Sequence, residues 1–577
     1  MRPHDRAPVG MLRALERGGA MTANGSAADL IFVNGDVYTM DGVRSWAQAV
    51  AVKGGRVTAV GTRDDIIDLR GTGTEVVDLQ GGLLVPGFQD AHIHPVGGGL
   101  DILMCDLHNL HTLDEYLEAI SAYAAANPDR DWIMGGGWSM DVFPGGTPTK
   151  DLLDSIVPDR PVYLPNRDGH GVWVNSRALE AAGITKDTPD PEDGRIERAP
   201  DGEPSGTLHE GAGDLVERLT PLPTAQERHD GLLVGQEYLH SLGVTAWQDA
   251  IIGTFGWADN LDTYLRAAGD GTLTARVVGA LWWDRNRGLE QVEDLMAQRE
   301  RGSAGRFAAT SVKIMQDGVC ENFTAAVLDP YFGADGEPSD QRGISFVEPE
   351  FLKEVVTRLD AEGFQVHFHA LAERAVRESL DAIEAARAAN GMNDLRHHLA
   401  HIQIIHPDDI PRFRSLGAVA NAQPLWAAHE GQMDDLTIPF LGEERAGWQY
   451  PFASLVRTGA VLAMGSDWSV STPDPIEEMH VAVNRQMAPQ YLYGNDNSRV
   501  FIPDERLDLP TAMGAFTMGS AYVNHLEGQT GSIEPGKFAD VAVLDRNVFA
   551  HPVGEIAAAR VQQTFVEGVR VFAASTA

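Results

Sequence analysis

Two histidines one residue apart on an extended stretch can hold a metal ion between them. The run LLVPGFQDAHIHP, residues 83–95, supplies such a pair in His92 and His94. Alternate residues of a β-strand point to the same side, so both imidazoles project together and can offer nitrogens at Zn–N distances of about 2.0–2.1 Å. Pro86 has no N–H and suits the first residue of such a strand, not its middle. A bare His-x-His would equally describe two polar residues on an exposed strand edge; the PGFQDAHIHP string around this one favours ligands. Four further residues able to ligate or to move protons stand at the ends of other predicted strands. They are Lys313 in SVKIMQDGV, His369 in QVHFHALAERAV, His401 in RHHLAHIQIIHPDD and Asp467 in VLAMGSDWSVSTPDP. Positions so far apart in sequence meet when their strands close into a barrel, whose C-terminal rim carries the active site in that architecture.

The elements that must position them follow from pattern. Apolar β-runs alternate with helical stretches, which predicts an α/β fold, a (β/α)8 TIM barrel. Strands are expected near Phe88–His92, Val244–Gln248, Val277–Leu281, Ser311–Met315, Phe364–His369, His397–Ile402, Val419–Ala422 and Val461–Ser466. One spacing is abnormal: about 150 residues separate the first strand from the second, where a barrel unit needs a few tens. An inserted subdomain, about 99–240, must fill the gap. It holds the Gly- and aromatic-rich strings GGGWSMDVFPGGTPTK, DGHGVWVNSRALEAAGI and DGEPSGTLHEGAG, and should lie over the C-terminal face of the barrel. Outside the barrel (86–523), both chain ends read as short strands and tight turns. Asn34-Gly35 and Gly54-Gly55 each predict a hairpin. Neither end has strands enough for a stable sheet alone, so 29–85 and 524–577 together predict one small β-sandwich. Residues 1–28 read as a flexible extension, with Met21 a candidate start.

The motifs, taken in order from about Asp29 to nearly the C-terminus, resemble the metal-dependent amidohydrolase superfamily, in its YtcJ-like branch, which includes N-substituted formamide deformylases. GKFADVAVLD is similar to the superfamily's C-terminal signature. The resemblance implies a metal site built from His92, His94, Lys313, His369, His401 and Asp467, with Asp467 also the proton shuttle. It implies that Lys313 bridges two metals as a CO2-derived carbamate. That chemistry is reasonable, because burial near cations lowers a lysine pKa far enough for reaction; the alternative is an ion pair with Asp317. Two departures stand out: Ala372-Glu373 replaces the usual Gly-Asp, and Ala400 replaces a Glu just before the ligand. His367 reads as a buried neighbour of the ligands, and His397, His398 and His406 as packing or capping residues. Trp138, His170, Asn175, Glu210 and Gln423 match family-like strings and are candidates to line the substrate pocket, with Gln248 and Asp249 supporting the ligands.

Composition bounds the partners. Forty-five basic against 83 acidic residues leave a net charge of −38, which repels nucleic acid and anionic membranes. Two cysteines, Cys105 and Cys320, exclude a disulfide scaffold and suit a reducing cytoplasm. No signal-peptide h-region or membrane-length apolar run is present. The expected cofactor is one or two divalent metals: zinc, or Mn, Co or Fe, which imidazole and carboxylate ligands also suit. The expected partner is a small molecule, and a homodimer is common among relatives. The reaction expected is hydrolysis of the C–N bond of a small N-substituted amide, a formamide or N-acyl compound, by a metal-activated water. A lactone or ester substrate, and a binding protein on a decayed amidohydrolase fold, are the alternatives. The six ligand-type residues stand against decay.

Overall fold

The computed structural model describes residues 27–253, 259–489 and 498–575. The extension and the start at Met21 lie outside them, save that Ala28 already opens a strand, Ala28–Val33.

Eight parallel strands form the central sheet in chain order: Phe88–Ile93, Val244–Ile252, Arg276–Trp282, Phe307–Met315, Gln365–Ala370, His398–His401, Val419–Ala422 and Val461–Met464. Each lies within a few residues of its predicted place. The register sets faces. Lys313 pairs with His367 and Met315 with His369, so Ser311, Lys313, Gln365, His367 and His369 share the inner side, while Val312, Ile314, Val366 and Phe368 pack into the apolar layer beneath the helices. The inner side carries a polar network: Ser311 Oγ–H donates to Gln365 Oε1 at 2.5 Å, and Gln248 Nε2 to the same oxygen at 3.1 Å. Buried polar groups stay buried when they satisfy one another.

The eighth strand meets the first by backbone bonds beyond its regular ladder. Asp467 N–H donates to His92 O and His94 N–H to Trp468 O, both at 2.8 Å. Asp90 rivets the same seam. Its carboxylate accepts from His92 N–H at 3.0 Å and from the Ser466 hydroxyl at 2.6 Å.

The long excursion between the first two strands builds a six-stranded sheet, in the order Gly194–Arg198, Pro204–Glu210, Gly171–Val174, Val162–Pro165, Ile133–Gly136 and Cys105–Asp106. It begins with helix Pro95–Leu103 and returns through helix Ala225–Ser241. These two helices touch backbone to backbone, since a Cβ on Gly99 would sit 1.8 Å from Gly231 O.

The chain ends make two more sheets. One holds strands from residues 28–78; the other joins Leu83–Pro86 to Val541–Leu544, Val561–Val566 and Val569–Ala573. Phe32, Val50 and Val77 of the first share an apolar cluster with Leu84, Val543 and Phe565 of the second. The hairpin expected at Gly54-Gly55 forms. The one expected at Asn34-Gly35 does not: Ala28–Val33 and Asp36–Tyr38 belong to different sheets. Each instead runs parallel to a later strand, Arg70–Asp78 and Leu83–Pro86. The two corners cross between sheets side by side, tied by Gly81 N–H to Asn34 O and Asp36 N–H to Gly82 O. Asn34 is left-handed, φ 62°, but Gly35 is not, so the two successive left-handed residues of a two-residue hairpin turn are not both present.

Candidate metal centre

His92, His401 and Asp467 bring potential donor atoms within 4.8 Å of one another at the C-terminal rim. One Asp467 oxygen lies 3.1 Å from His92 Nε2 and 3.0 Å from His94 Nε2; the other lies 3.7 Å from His401 Nδ1. His369 stands beside His401, ring centres 4.4 Å apart. Lys313 is buried on the facing strand, and all six residues open on one cavity of about 530 Å³.

The donor set suits a divalent metal. His92 Nε2 and His369 Nδ1 face carboxylate oxygens at 3.1 and 3.4 Å, and both ring nitrogens of His401 are buried without a hydrogen-bond partner among the described residues. Each such orphan costs about 1–3 kcal/mol unless a ligand takes its lone pair. Imidazole and carboxylate together are the ligands that zinc and its neighbours accept. Burial drives His92 down to about 3, with Lys313 adding to the effect, so its ring is neutral and its lone pair free at neutral pH. Burial opposes the ionised form of Asp467, yet the surrounding imidazoles outweigh it and hold the carboxyl well below the usual range. Lys313 is pushed by burial down to about 7, against the upward pull of Asp467.

The alternative partner for Lys313 is absent. Asp317 is engaged by the backbone N–H groups of Ala326, Leu371 and Ala372 at 2.9–3.0 Å and lies 3.4 Å from His369 Nδ1. No carboxylate lies within 4.0 Å of Lys313 Nζ among the described residues.

Supporting contacts fix the ligands. His92 Nδ1 is hydrogen-bonded to His367 Nε2 at 2.6 Å. His398 bonds Gln248 Oε1 and Asn421 at 3.0 and 3.1 Å. Tyr264 O–H donates to Asp249, which lines the cavity, at 2.6 Å. Backbone strain gathers here as well: His401, Asp467 and Glu210 adopt left-handed φ of 75°, 56° and 49°. For side chains other than glycine such angles persist where surroundings over-determine them, commonly at functional sites.

The residues expected to line the pocket divide. His170 does line it, 5.3 Å from the His369 ring, with Nδ1 3.0 Å from Glu210 Oε1. Trp138, Asn175 and Gln423 do not, and the expectation is corrected for all three. Trp138 is buried in the insertion's own core against Phe143 and Trp173, its indole N–H on Leu164 O. Asn175 caps helix Ser176–Ala182: Oδ1 accepts from Val162 and Ala178, and Nδ2 donates to Val157 and Arg160, which exhausts its bonding capacity. Gln423 acts one step back, its Oε1 accepting from His401 N–H at 2.7 Å. The sequence reading passed over Trp426, stacked on the His401 ring at 5.5 Å, and Asp90. The positions of both were signalled, one by the NAQPLW string after the seventh strand and the other by standing two residues before His92.

Comparison with known proteins agrees with this architecture. The family described as "Amidohydrolase family" matches residues 75–572. The chain is similar to Protein LONG AFTER FAR-RED 3 of Arabidopsis thaliana, 32% identical over 95% of this chain and 92% of that one. It is similar to Putative amidohydrolase YtcJ of Bacillus subtilis, 29% identical over 94% and 99%. It is also similar to an N-substituted formamide deformylase of Arthrobacter pascens, 28% identical over 94% and 98%. Among solved structures, an uncharacterized metal-dependent hydrolase from Pyrococcus furiosus superposes with a TM-score of 0.67 at 26% identity, covering 90% of this chain and 99% of that one.

Proposed function

The chain belongs to the amidohydrolase family, and on that premise we propose that it hydrolyses the C–N bond of a small N-substituted amide, of the formamide or N-acyl type. The observation that carries this reading is the single carboxylate, Asp467, in reach of three imidazoles at the floor of a cavity. His92, His94, His369, His401 and Asp467 would hold the metal, zinc by preference. Lys313, neutral in part near pH 7, would supply a further oxygen ligand once CO2 adds to its amine as a carbamate, with loss of a proton. When bound, the metal supplies Lewis acidity and a nucleophile at neutral pH. Asp467, ionised and at the floor of the cavity, accepts a proton from the attacking water and returns it to the leaving nitrogen. His170, held by Glu210, orients the substrate from the insertion side.

In this reading residues 86–523 form the catalytic barrel, 29–85 and 524–577 the two halves of a small β-sandwich, and about 99–240 the insertion that roofs the site. Cys105 and Cys320, both buried and unpaired, fit a reducing cytoplasm. Among the described residues no helix is long and apolar enough to cross a membrane.

Asp467→Asn tests the assignment. With a panel of formamides and N-acyl amides, and esters of the same acyl groups as controls, kcat on amides should fall by at least about 10²-fold, the lower end of what general acid–base catalysis contributes, while bound metal stays near the wild-type level by elemental analysis. A variant with full turnover removes Asp467 from the mechanism.

A further inference from the structure

The space around the candidate ligands has two lobes, one with a more apolar exposed wall than the other. His170, His369, His401 and Asp467 border both. The first, about 450 Å³, is edged by Asp106, Asp168, Glu321 and Glu430. The second, about 530 Å³, runs beneath the insertion's sheet; Glu210, Asp214, Glu217 and Arg285 are among the charged groups at its border, but the larger share of its exposed wall is apolar.

The sheet explains the second lobe. Alternate residues of a strand face opposite ways. Ile133, Val162 and Leu164 join the core on one face. Met134, Tyr163, Val172 and Leu208 lie on the other, and each of these four lines the lobe. The lobe extends outward to Leu103 and Leu222, which are 48% and 60% exposed. Large apolar side chains left at the surface of a cavity, on a chain of net charge −38, mark a place where apolar matter is received.

We propose that the preferred substrate is an amide carrying an extended apolar substituent, and that the substituent lies in the lobe walled by Met134, Tyr163, Val172 and Leu208. This rests on the amide-hydrolase reading and adds the class of substrate to it. The first lobe has the more polar exposed wall of the two, so an apolar chain gains less by entering it. The amide bond sits where the lobes meet, at Asp467 and His401, and the chain runs out toward Leu103 and Leu222. Each methylene entering the lobe gains about fourfold in kcat/KM, the value of one buried CH2.

The test uses the full-length, metal-loaded protein with two homologous series. N-alkylformamides from methyl to octyl lengthen the nitrogen side, and N-methylalkanamides from formyl to octanoyl lengthen the carbonyl side. One of the two should show kcat/KM rising by about fourfold per methylene. Met134→Trp, which fills the lobe, should flatten that rise; Leu222→Glu, at an exposed position tolerant of charge, should lower it. Calorimetric Kd for the same ligands is read in parallel, on wild type and on Asp467→Asn. Hydrolysis of short members with no dependence on chain length in either series overturns the proposal and leaves the hydrolase reading standing. No hydrolysis of any member overturns that reading, and the Kd series then decides: affinity that does not rise with chain length overturns the apolar lobe as well.

Discussion

His170 and Glu210 form a buried charged pair within the insertion, and the His170 ring lies 5.3 Å from that of His369. Burial alone would push the His170 imidazolium down from 6.5, but the Glu210 carboxylate outweighs it and carries the group up to about 9. Glu210 moves oppositely, from 4.5 to about 2: burial resists, and His170 with the Thr324 hydroxyl prevails. A base raised in the folded state contributes fully below its unfolded pKa and loses that contribution as pH climbs through the folded value. A depressed acid contributes above its unfolded pKa and loses it as pH falls through the folded one. The pair is therefore worth most between pH 4.5 and 6.5. Glu210→Gln should cost about 3 kcal/mol there, the low end for breaking a buried pair, and the wild-type and variant melting temperatures should converge above pH 9. A gap constant from pH 6 upward would assign the loss to the hydrogen bonds from Thr324 and Asn322 instead. At this scale residue type was legible and direction was not. The sequence shows that Asn175 and Gln423 can accept and donate; only the fold decides that one spends its bonds on a helix start and the other on the His401 backbone. For Asn175 the signal was present, because Asn before SRALEAA is a helix N-cap pattern.

Among elements, the joint between helices Pro95–Leu103 and Ala225–Ser241 bears directly on the site, since His94 stands immediately before the first helix. Gly99 meets Gly231 O, and a Cβ on Gly235 would lie 2.5 Å from Pro95 O. Any side chain at Gly99 must part the helices. Gly99→Ala should lower stability by about 1–3 kcal/mol, as overpacking does, and lower kcat by shifting His94. Gly269→Ala is the control: exposed on helix Leu261–Asp270 with nothing near its Cβ, it should leave activity alone and stabilise by up to about 1 kcal/mol. Equal effects of the two would show that close helix contact is not what Gly99 provides. The barrel strands were readable because each is a short apolar run between helical stretches. The sheet exchange at Asn34-Gly35 was not, since a turn dipeptide specifies a reversal locally while the partner strands, Arg70–Asp78 and Leu83–Pro86, lie far downstream.

At the scale of the whole molecule, metal and stability should be linked. A ligand that binds only the folded chain stabilises it by mass action, about 2.7 kcal/mol when its concentration is a hundredfold above Kd. Chelation should thus lower the melting temperature and abolish turnover together, and zinc should restore both. Elemental analysis of protein purified without chelator should give close to two metals per chain; one would leave Lys313 without a bridging role, and none, with no activity on adding metal, would sink the enzyme reading. The eight-strand barrel was legible at this scale, and so was the long gap between its first two strands, which the structure fills with a six-stranded sheet. Its lobe was not, because the lining residues come from four strands whose pairing no local pattern states. The sheet that joins Leu83–Pro86 to Val541–Leu544 sets a timetable for synthesis. Ribosomes add about 5–20 residues per second, so the early strand waits roughly 25–90 seconds for its partner. Over that interval its apolar face is open to a chaperone or to another nascent chain. The seam between His92 and Asp467 keeps the same clock: a chain cut short before residue 467 would lack the carboxylate that faces His92 and His94, so such partial products of translation should be catalytically silent.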